Sequence, residues 1–300
     1  MKGFVNVNKP TGISSAYAVQ KVKKALWAAC GEKVKMGHFG TLDPMARGVL
    51  PIAVGTATRL FDYAQAKIKV YQATFKFGVE TDTLDSEGAV IKTDEKKISQ
   101  EDIFPALEKF IGKIEQIPPT YSAKSIGGKR AYQLARAGES VELEPKSIEI
   151  YDFKLLDEIN GKVLLKDGER TLEDNEFAFE IACSSGTYIR ALARDLAKEL
   201  GTVGYMSTLL RVKSGAFSLE TAVSLEDFLK NPLSNVLPID FALDAFKVYN
   251  LDPIYAEKAL NGVKLHFDDL PEGDFVVKIS SEVVGIATSQ DGMLKFKTRL

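Results

Sequence analysis

Between Gly37 and Pro51 the chain reads GHFGTLDPMARGVLP, a stretch carrying three glycines and two prolines. A regular element does not tolerate that density of breakers, because proline removes a backbone donor and glycine raises the entropic cost of ordering. The segment therefore reads as a long shaped loop that feeds a buried strand, Val49 to Val54. Within it, Pro44 disfavours the α region for Asp43, so the Asp43 carboxylate stands on extended backbone. Gly37, Gly40 and Gly48 permit tight bends and close approach by a ligand. Both a plain Asp-Pro turn and a functional carboxylate fit this pattern, and a long loop between core elements is where functional groups concentrate.

The flanking pattern sets the scaffold. Gly3 to Val7 is strand-like and ends in the turn Lys9-Pro10-Thr11-Gly12. Ser14 and Ser15 offer N-caps for a helix carrying Val19, Val22 and Leu26 at helical spacing. Thr56 is expected to cap a short helix after the buried strand. Lys69 to Phe77 alternates, with Tyr71, Ala73, Phe75 and Phe77 on one face and Gln72, Thr74 and Lys76 on the other, which predicts a half-buried strand. TDTLDSEG, Thr81 to Gly88, is a polar connector, and Ile103, Leu107 and Phe110 predict a helix near 100–111 despite Pro105. Residues 117–138 read as a strand end, a Gly-Gly loop and a short helix. Phe177, Phe179, Ile181 and Cys183 alternate as a further strand, and Ser184 to Thr187 turns the chain into a helix with Ile189, Leu192, Ala193, Leu196 and Leu200 on one side. Gly201 stands where that helix should stop. From about Pro238 the pattern changes to short strands, Phe275 to Ile279, Val283 to Thr288 and Met293 to Lys297, which predicts a small β-rich C-terminal domain.

Two cysteines, Cys30 and Cys183, lie far apart, and the histidines are only His38 and His266. A disulfide framework or a zinc centre has little to be built from. The chemistry is expected to run on carboxylates, hydroxyls and guanidinium groups. A formal net charge of −2 does not advertise a nucleic-acid binder. Local patches decide that question, however, and Lys124, Lys129, Arg130 and Arg136, interleaved with Tyr121 and Tyr132, combine phosphate contact with base stacking. A solvated loop and helix face would look the same. No apolar run reaches bilayer-spanning length, and the N-terminus meets Pro10 and Gly12 before any signal-like stretch, so the chain is expected in the cytoplasm.

Two further residues attract attention. Tyr71 shares a face with Phe75, which suits either a core tyrosine or a ring that stacks on a base. Arg190 lies in the first turn of its helix between Ile189 and Leu192. It is either solvated or, if partly buried, in need of an anion, for which Asp43 is a candidate.

These segments, in this order, resemble the TruB family of tRNA pseudouridine synthases. The resemblance is carried by KPTG at Lys9, GHFGTLDPMARGVLP around Asp43, KVYQATFKFGVETDTLDSEG around Tyr71, QIPPTYSAKSIGGKRAYQLARAG, CSSGTYIRALARDLAKELG around Arg190, and LLRVKSGAF near Arg211, and it covers most of residues 1–220. Two positions depart from the pattern: Phe39 stands where a small polar residue is usual, and Arg47 replaces a small one. The resemblance implies a mixed α+β catalytic domain with a central, largely antiparallel sheet over residues 1–237, including an RNA-binding insertion near 117–138. It further implies a small PUA-like domain over 238–300. It implies an isomerase that acts on uridine 55 of the tRNA T-loop after flipping the base, with no organic cofactor or metal and no required protein partner, as a monomer. By the same resemblance Asp43 is the essential carboxylate, Tyr71 packs on the target base and acts at C5, and Arg190 pairs with Asp43. His38 fills the space of the flipped base, Lys9 supports the cleft, Tyr188 and Leu209 contact the nucleotide, and Lys124, Lys129 and Arg130 meet the RNA. Whether Asp43 attacks C1′, adds to C6 or removes the C2′ proton stays open.

Overall fold

The computed structural model describes residues 1–64, 68–121, 125–126, 129–130 and 143–300. Its principal strands are β1 (Gly3–Lys9), β2 (Met36–His38), β3 (Arg47–Val54), β4 (Ile68–Phe77), β5 (Gly112–Gln116), β6 (Lys146–Leu155), β7 (Glu176–Ser184) and β8 (Gly204–Ser214). The main helices are α1 (Ser15–Cys30), α2 (Gln100–Glu108) and α3 (Ile189–Glu199). The chain divides into two compact units: Met1–Leu42 with Val49–Ala66 and Ser214–Leu300, and Asp43–Gly48 with Lys67–Lys213.

In the first unit the strand Val223–Ser224, β1 and β3 are successive neighbours, and β2 pairs antiparallel with β3. Helix α1 begins as its sequence dictates. The Ser14 side chain accepts from the Tyr17 N–H, and Gly31, at φ 77°, closes the far end by donating to the Trp27 carbonyl. Ser15 does something else. Its hydroxyl is buried, accepts from the Leu42 N–H at 2.8 Å and donates to the Leu42 carbonyl at 2.9 Å, fixing the backbone directly before Asp43. The expected Thr56 cap is not made. Residues Gly55–Leu60 form a 3-10 turn with no side-chain cap, and Thr58 instead donates to the Gly55 carbonyl.

The C-terminal β-rich part is a five-stranded sheet built from Lys247–Asn250, Asp274–Ile279, Glu282–Gln290, Met293–Arg299 and Leu265–His266. Strand periodicity explains how it is buried. Phe275 and Val277 enter a cluster with Leu251, Ala287 and Leu294, while Val276 points to the opposite face and joins Phe4, Phe39, Val49 and Phe217. Phe39, one of the two departures noted in the sequence, is thus a core residue, stacked near Phe4 and Phe61.

In the second unit the order is β8, β4, β7, β6, β5. The β4–β7, β7–β6 and β6–β5 pairs are antiparallel, as expected, while Arg47 and Gly48 at the head of β3 pair in parallel with Leu210 and Arg211 of β8. Strand β4 is not half-buried. Gln72 and Thr74, assigned to the solvent side by parity, are buried as fully as Ala73 and Phe75. Their polar atoms are satisfied laterally: Gln72 donates to Glu180 at 2.9 Å and accepts from the Lys166 N–H at 2.7 Å, and Thr74 shares hydrogen bonds with Ser207 and Thr208. Alternation read the pleat correctly but could not read that both faces are covered. Arg47, the second departure, forms a bidentate pair with Asp167.

Gly48 is confined by geometry. Its φ is 104°, and a Cβ would be driven into the Arg211 carbonyl and stand 2.9 Å from the Arg211 nitrogen. Gly48→Ala is therefore expected to destabilise the protein by about 3 kcal/mol. Thermal denaturation should register this as a fall of roughly 5 °C in Tm. An unchanged Tm would mean that the strand pairing yields to a methyl group.

Candidate active site

Asp43 sits at the start of the loop that becomes β3, with the Ala46 N–H folding back to its carbonyl at 3.1 Å. Arg190 reaches it from the first turn of α3. The Arg190 Nε lies 3.1 Å from Asp43 Oδ2, and the pairing that the sequence pattern left open is made. The guanidinium is almost entirely buried, and both of its terminal nitrogens are engaged as well. One terminal nitrogen meets Asp85 at 3.2 Å and the Thr83 carbonyl at 2.9 Å, and the other donates to the Tyr121 carbonyl at 3.0 Å. An arginine held by this many acceptors has one orientation available.

The two acids differ in exposure. The Asp85 side chain is 6% exposed and its second oxygen accepts from the Thr83 hydroxyl at 2.6 Å and the Glu87 N–H at 3.1 Å. The Asp43 side chain is 36% exposed. One guanidinium thus faces two carboxylates, of which Asp85 is buried and Asp43 is the accessible one. Neither Asp85 nor its role was assigned from sequence. The only signal was an acid inside the polar Thr81–Gly88 connector, indistinguishable there from a turn residue.

Tyr71 lies on β4 with only 6% of its surface exposed. Burial pushes its phenol above the ordinary value and nearby Asp43 adds to this, while the Arg211 cation, which also hydrogen-bonds the phenol, opposes it. The hydroxyl is therefore held in its protonated form at neutral pH. Arg211 is the second residue that sequence reasoning passed over. It is fully buried in β8 at the register position facing Gly48. An arginine between Leu210 and Val212 in a strand was the available signal, since a buried guanidinium requires acceptors.

The other expected site residues are distributed as follows. Tyr188 precedes α3, and its backbone N–H and carbonyl are both bound by the Gln116 side chain, at 2.9 and 3.1 Å. Leu209 is buried in β8. In the first unit, Lys9 is fully buried and its ammonium donates to the Pro10 and Ile13 carbonyls at 2.8 and 2.7 Å, stapling the KPTG turn. His38 is half-buried in β2, opposite Ile52. Lys129 and Arg130 belong to a short strand paired antiparallel with Ser125–Ile126, while Lys124 and Arg136, with the helix expected there, lie outside the described residues.

Beside Tyr71 stands a group that nothing in the residue pattern marks out. Lys69 is 6% exposed on the same face of β4. Burial, reinforced by the Arg211 and Lys146 cations, lowers its ammonium to about 8, although Cys183 opposes the shift. A cation whose folded value lies below its ordinary 10.5 destabilises the fold while it is charged. That deficit is fully present below about pH 8 and disappears as pH rises toward 10.5. Lys69→Met is therefore expected to be the more stable protein at pH 7, by about 3 kcal/mol. The advantage should shrink steadily in denaturation curves taken at higher pH. A difference that does not vary with pH would contradict an uncompensated charge at Lys69.

Sheet, loop and helix together bring an accessible carboxylate, a buried arginine and a buried tyrosine into one unit of the chain. Comparison with known proteins identifies the family. The pattern described as TruB family pseudouridylate synthase, N-terminal domain, matches residues 28–189, and that of the tRNA pseudouridylate synthase B C-terminal domain matches residues 190–243. The chain is 40% identical over its whole length, and over the whole of the relative, to tRNA pseudouridine synthase B of Aquifex aeolicus. It is 39% identical to the protein of the same name from Novosphingobium aromaticivorans, covering 98% of this chain and 95% of the relative. Among solved structures, a chain of an H/ACA RNP bound to a substrate RNA containing 2′-deoxyuridine superposes with a TM-score of 0.70 at 20% identity, covering 99% of this chain and 84% of the other. A chain of a Cbf5-Nop10-Gar1 complex matches with a TM-score of 0.70 at 21% identity over the same shares. The protein belongs to the TruB family of pseudouridine synthases, which are isomerases.

Proposed function

We propose that the protein converts uridine 55 in the T-loop of tRNA to pseudouridine without a cofactor, using Asp43 as the reacting carboxylate. The single observation that carries this reading is the 3.1 Å contact between Asp43 and the buried Arg190. The reaction breaks N1–C1′, turns the base, forms C5–C1′ and loses the C5 proton to the released nitrogen. Substrate and product have the same atoms and the same electron count, so carboxylate, phenol and guanidinium groups are chemically sufficient. A carboxylate is useful in any of the three open roles only when ionised, and an adjacent guanidinium favours that form and fixes its direction. The uridine must leave the stack to reach Asp43. Tyr71 offers it a ring to lie against, and its phenol, which burial keeps protonated, takes the C5 proton only after giving its own to the released N1. His38, Tyr188 and Leu209 are assigned to the nucleotide and the opened loop, Lys9 to the support of the cleft, and Lys124, Lys129 and Arg130 to the RNA backbone.

The same reading treats residues 1–237 as the catalytic domain and 238–300 as a PUA-like module, in a monomer that needs no protein partner and works in the cytoplasm. Among the described residues no helix is long and apolar enough to cross a membrane. Incubation with an unmodified tRNA transcript, followed by mapping of pseudouridine, tests the proposal. Product is expected at the T-loop uridine with no addition beyond buffer and salt. Modification elsewhere would remove the assigned site, and dependence on an added cofactor would remove the mechanism.

A further inference from the structure

Lys69 poses a problem that the reaction at Asp43 does not solve. A desolvated ammonium is retained in a fold when an anion offsets the loss of water, and a buried cation left alone is costly. Lys69 is buried, yet none of the described residues forms an ion pair or hydrogen bond with its ammonium. The charged groups that act on it are themselves cations, Arg211 and Lys146. Its cross-strand partner on β7 is Cys183, and burial pushes that thiol up to about 11, so it supplies no negative charge. Lys146, on the exposed start of β6, lays its ammonium against Gly186 in the turn that follows Cys183, in the space a Cβ would fill. Gly186 has φ 89°, so the turn both needs glycine and leaves the ammonium room. Two lysines thus converge on the Cys183–Gly186 end of β7, and among the described residues neither forms an ion pair with an acid.

The position of this cluster indicates its ligand. Lys69 precedes Tyr71 by two residues on one face of one strand, a separation of roughly 7 Å. That is on the scale of the reach from a nucleobase to its own phosphate. We propose that Lys69 and Lys146 form a receptor for one phosphodiester of the bound RNA, at or next to the nucleotide whose base lies against Tyr71. The inference rests on the proposed reading of Asp43 and Tyr71 as the uridine site. In the free protein Lys69 is a charge awaiting its counter-ion. The phosphate supplies it, so part of the burial cost is recovered only when the RNA backbone is correctly seated.

The test compares wild type, Lys69→Met, Lys69→Arg and Lys146→Met on a T-stem-loop RNA across a salt series, then on the same RNA carrying single neutral methylphosphonate linkages around the target uridine. Lys69→Met is expected to weaken binding about ten-fold. It should also lower the slope of log Kd against log salt by about 0.7 for the lost contact, whereas Lys69→Arg keeps the slope. One methylphosphonate position should weaken wild type by a similar factor and leave Lys69→Met unaffected. Should Lys69→Met fail to fold, the exposed Lys146→Met, read against that same linkage, answers the question without touching the buried position. Unchanged salt slopes, or methylphosphonates that affect wild type and variants equally, would overturn the receptor while leaving the uridine site intact. Absence of pseudouridine from the wild-type reaction on unsubstituted RNA would instead sink the reading on which it rests.

Discussion

Asp43→Asn is expected to slow pseudouridine formation by at least about 10⁴-fold, equivalent to more than roughly 5 kcal/mol of transition-state stabilisation. The substitution is nearly isosteric, and the amide oxygen still accepts from Arg190 Nε, so the loop should keep its position. What disappears is the ionised oxygen, and each of the three open roles requires it: attack at C1′ or C6 needs a nucleophile, and removal of the C2′ proton needs a base. RNA affinity should change by no more than about three-fold, because the backbone contacts lie elsewhere. Single-turnover release of the C5 hydrogen isotope measures the first quantity and equilibrium binding the second. An Asp43→Asn protein that still turns over at a tenth of the wild-type rate would exclude a covalent or proton-transfer role and reduce Asp43 to a spacer.

The parts of this centre that could be read from sequence are those fixed by local rules. Pro44 places Asp43 on extended backbone, the strand parity of β4 puts Tyr71 with Phe75, and the turn from Ser184 to Thr187 puts Arg190 in the first turn of α3. Each follows from dihedral preference or periodicity within a few residues of the position concerned. Asp85, Arg211 and Lys69 were not read, and they share a reason. Each is a charged residue in a segment whose own pattern assigns it to a turn or a strand, and only packing between distant segments reveals that it is buried. Gln72 and Thr74 follow the same logic, because nothing in alternation says that a polar face will be covered and hydrogen-bonded from the neighbouring strands. Phe39 makes the complementary point. It departs from the residue usual in the family's loop, and its ring lies among Phe4 and Phe61 in the core. Family resemblance supplies the order of the motifs, whereas the buried acid that pairs with the arginine emerges only from the packing of distant segments.

That acid allows the structural and functional shares of Arg190 to be separated. Arg190→Met strips Asp85 of its cation while the Asp85 side chain remains only 6% exposed. Breaking a buried pair on one side is costly because the remaining charge keeps its desolvation penalty, so a loss of about 3–5 kcal/mol in stability is expected. Activity should fall by about 10³-fold or more, since Asp43 loses both its orientation and the field that keeps it ionised. Adding Asp85→Asn to Arg190→Met removes the stranded charge. An asparagine can still accept from the Thr83 hydroxyl and the Glu87 N–H, so the double variant should recover most of the lost stability. It should recover none of the lost rate, because nothing in it restores the guanidinium at 3.1 Å from Asp43. Denaturation and single-turnover rates measured on the same preparations follow the two responses independently. If rate returns together with stability, Arg190 acts only by holding the fold together, and the charge that aims Asp43 must come from another group.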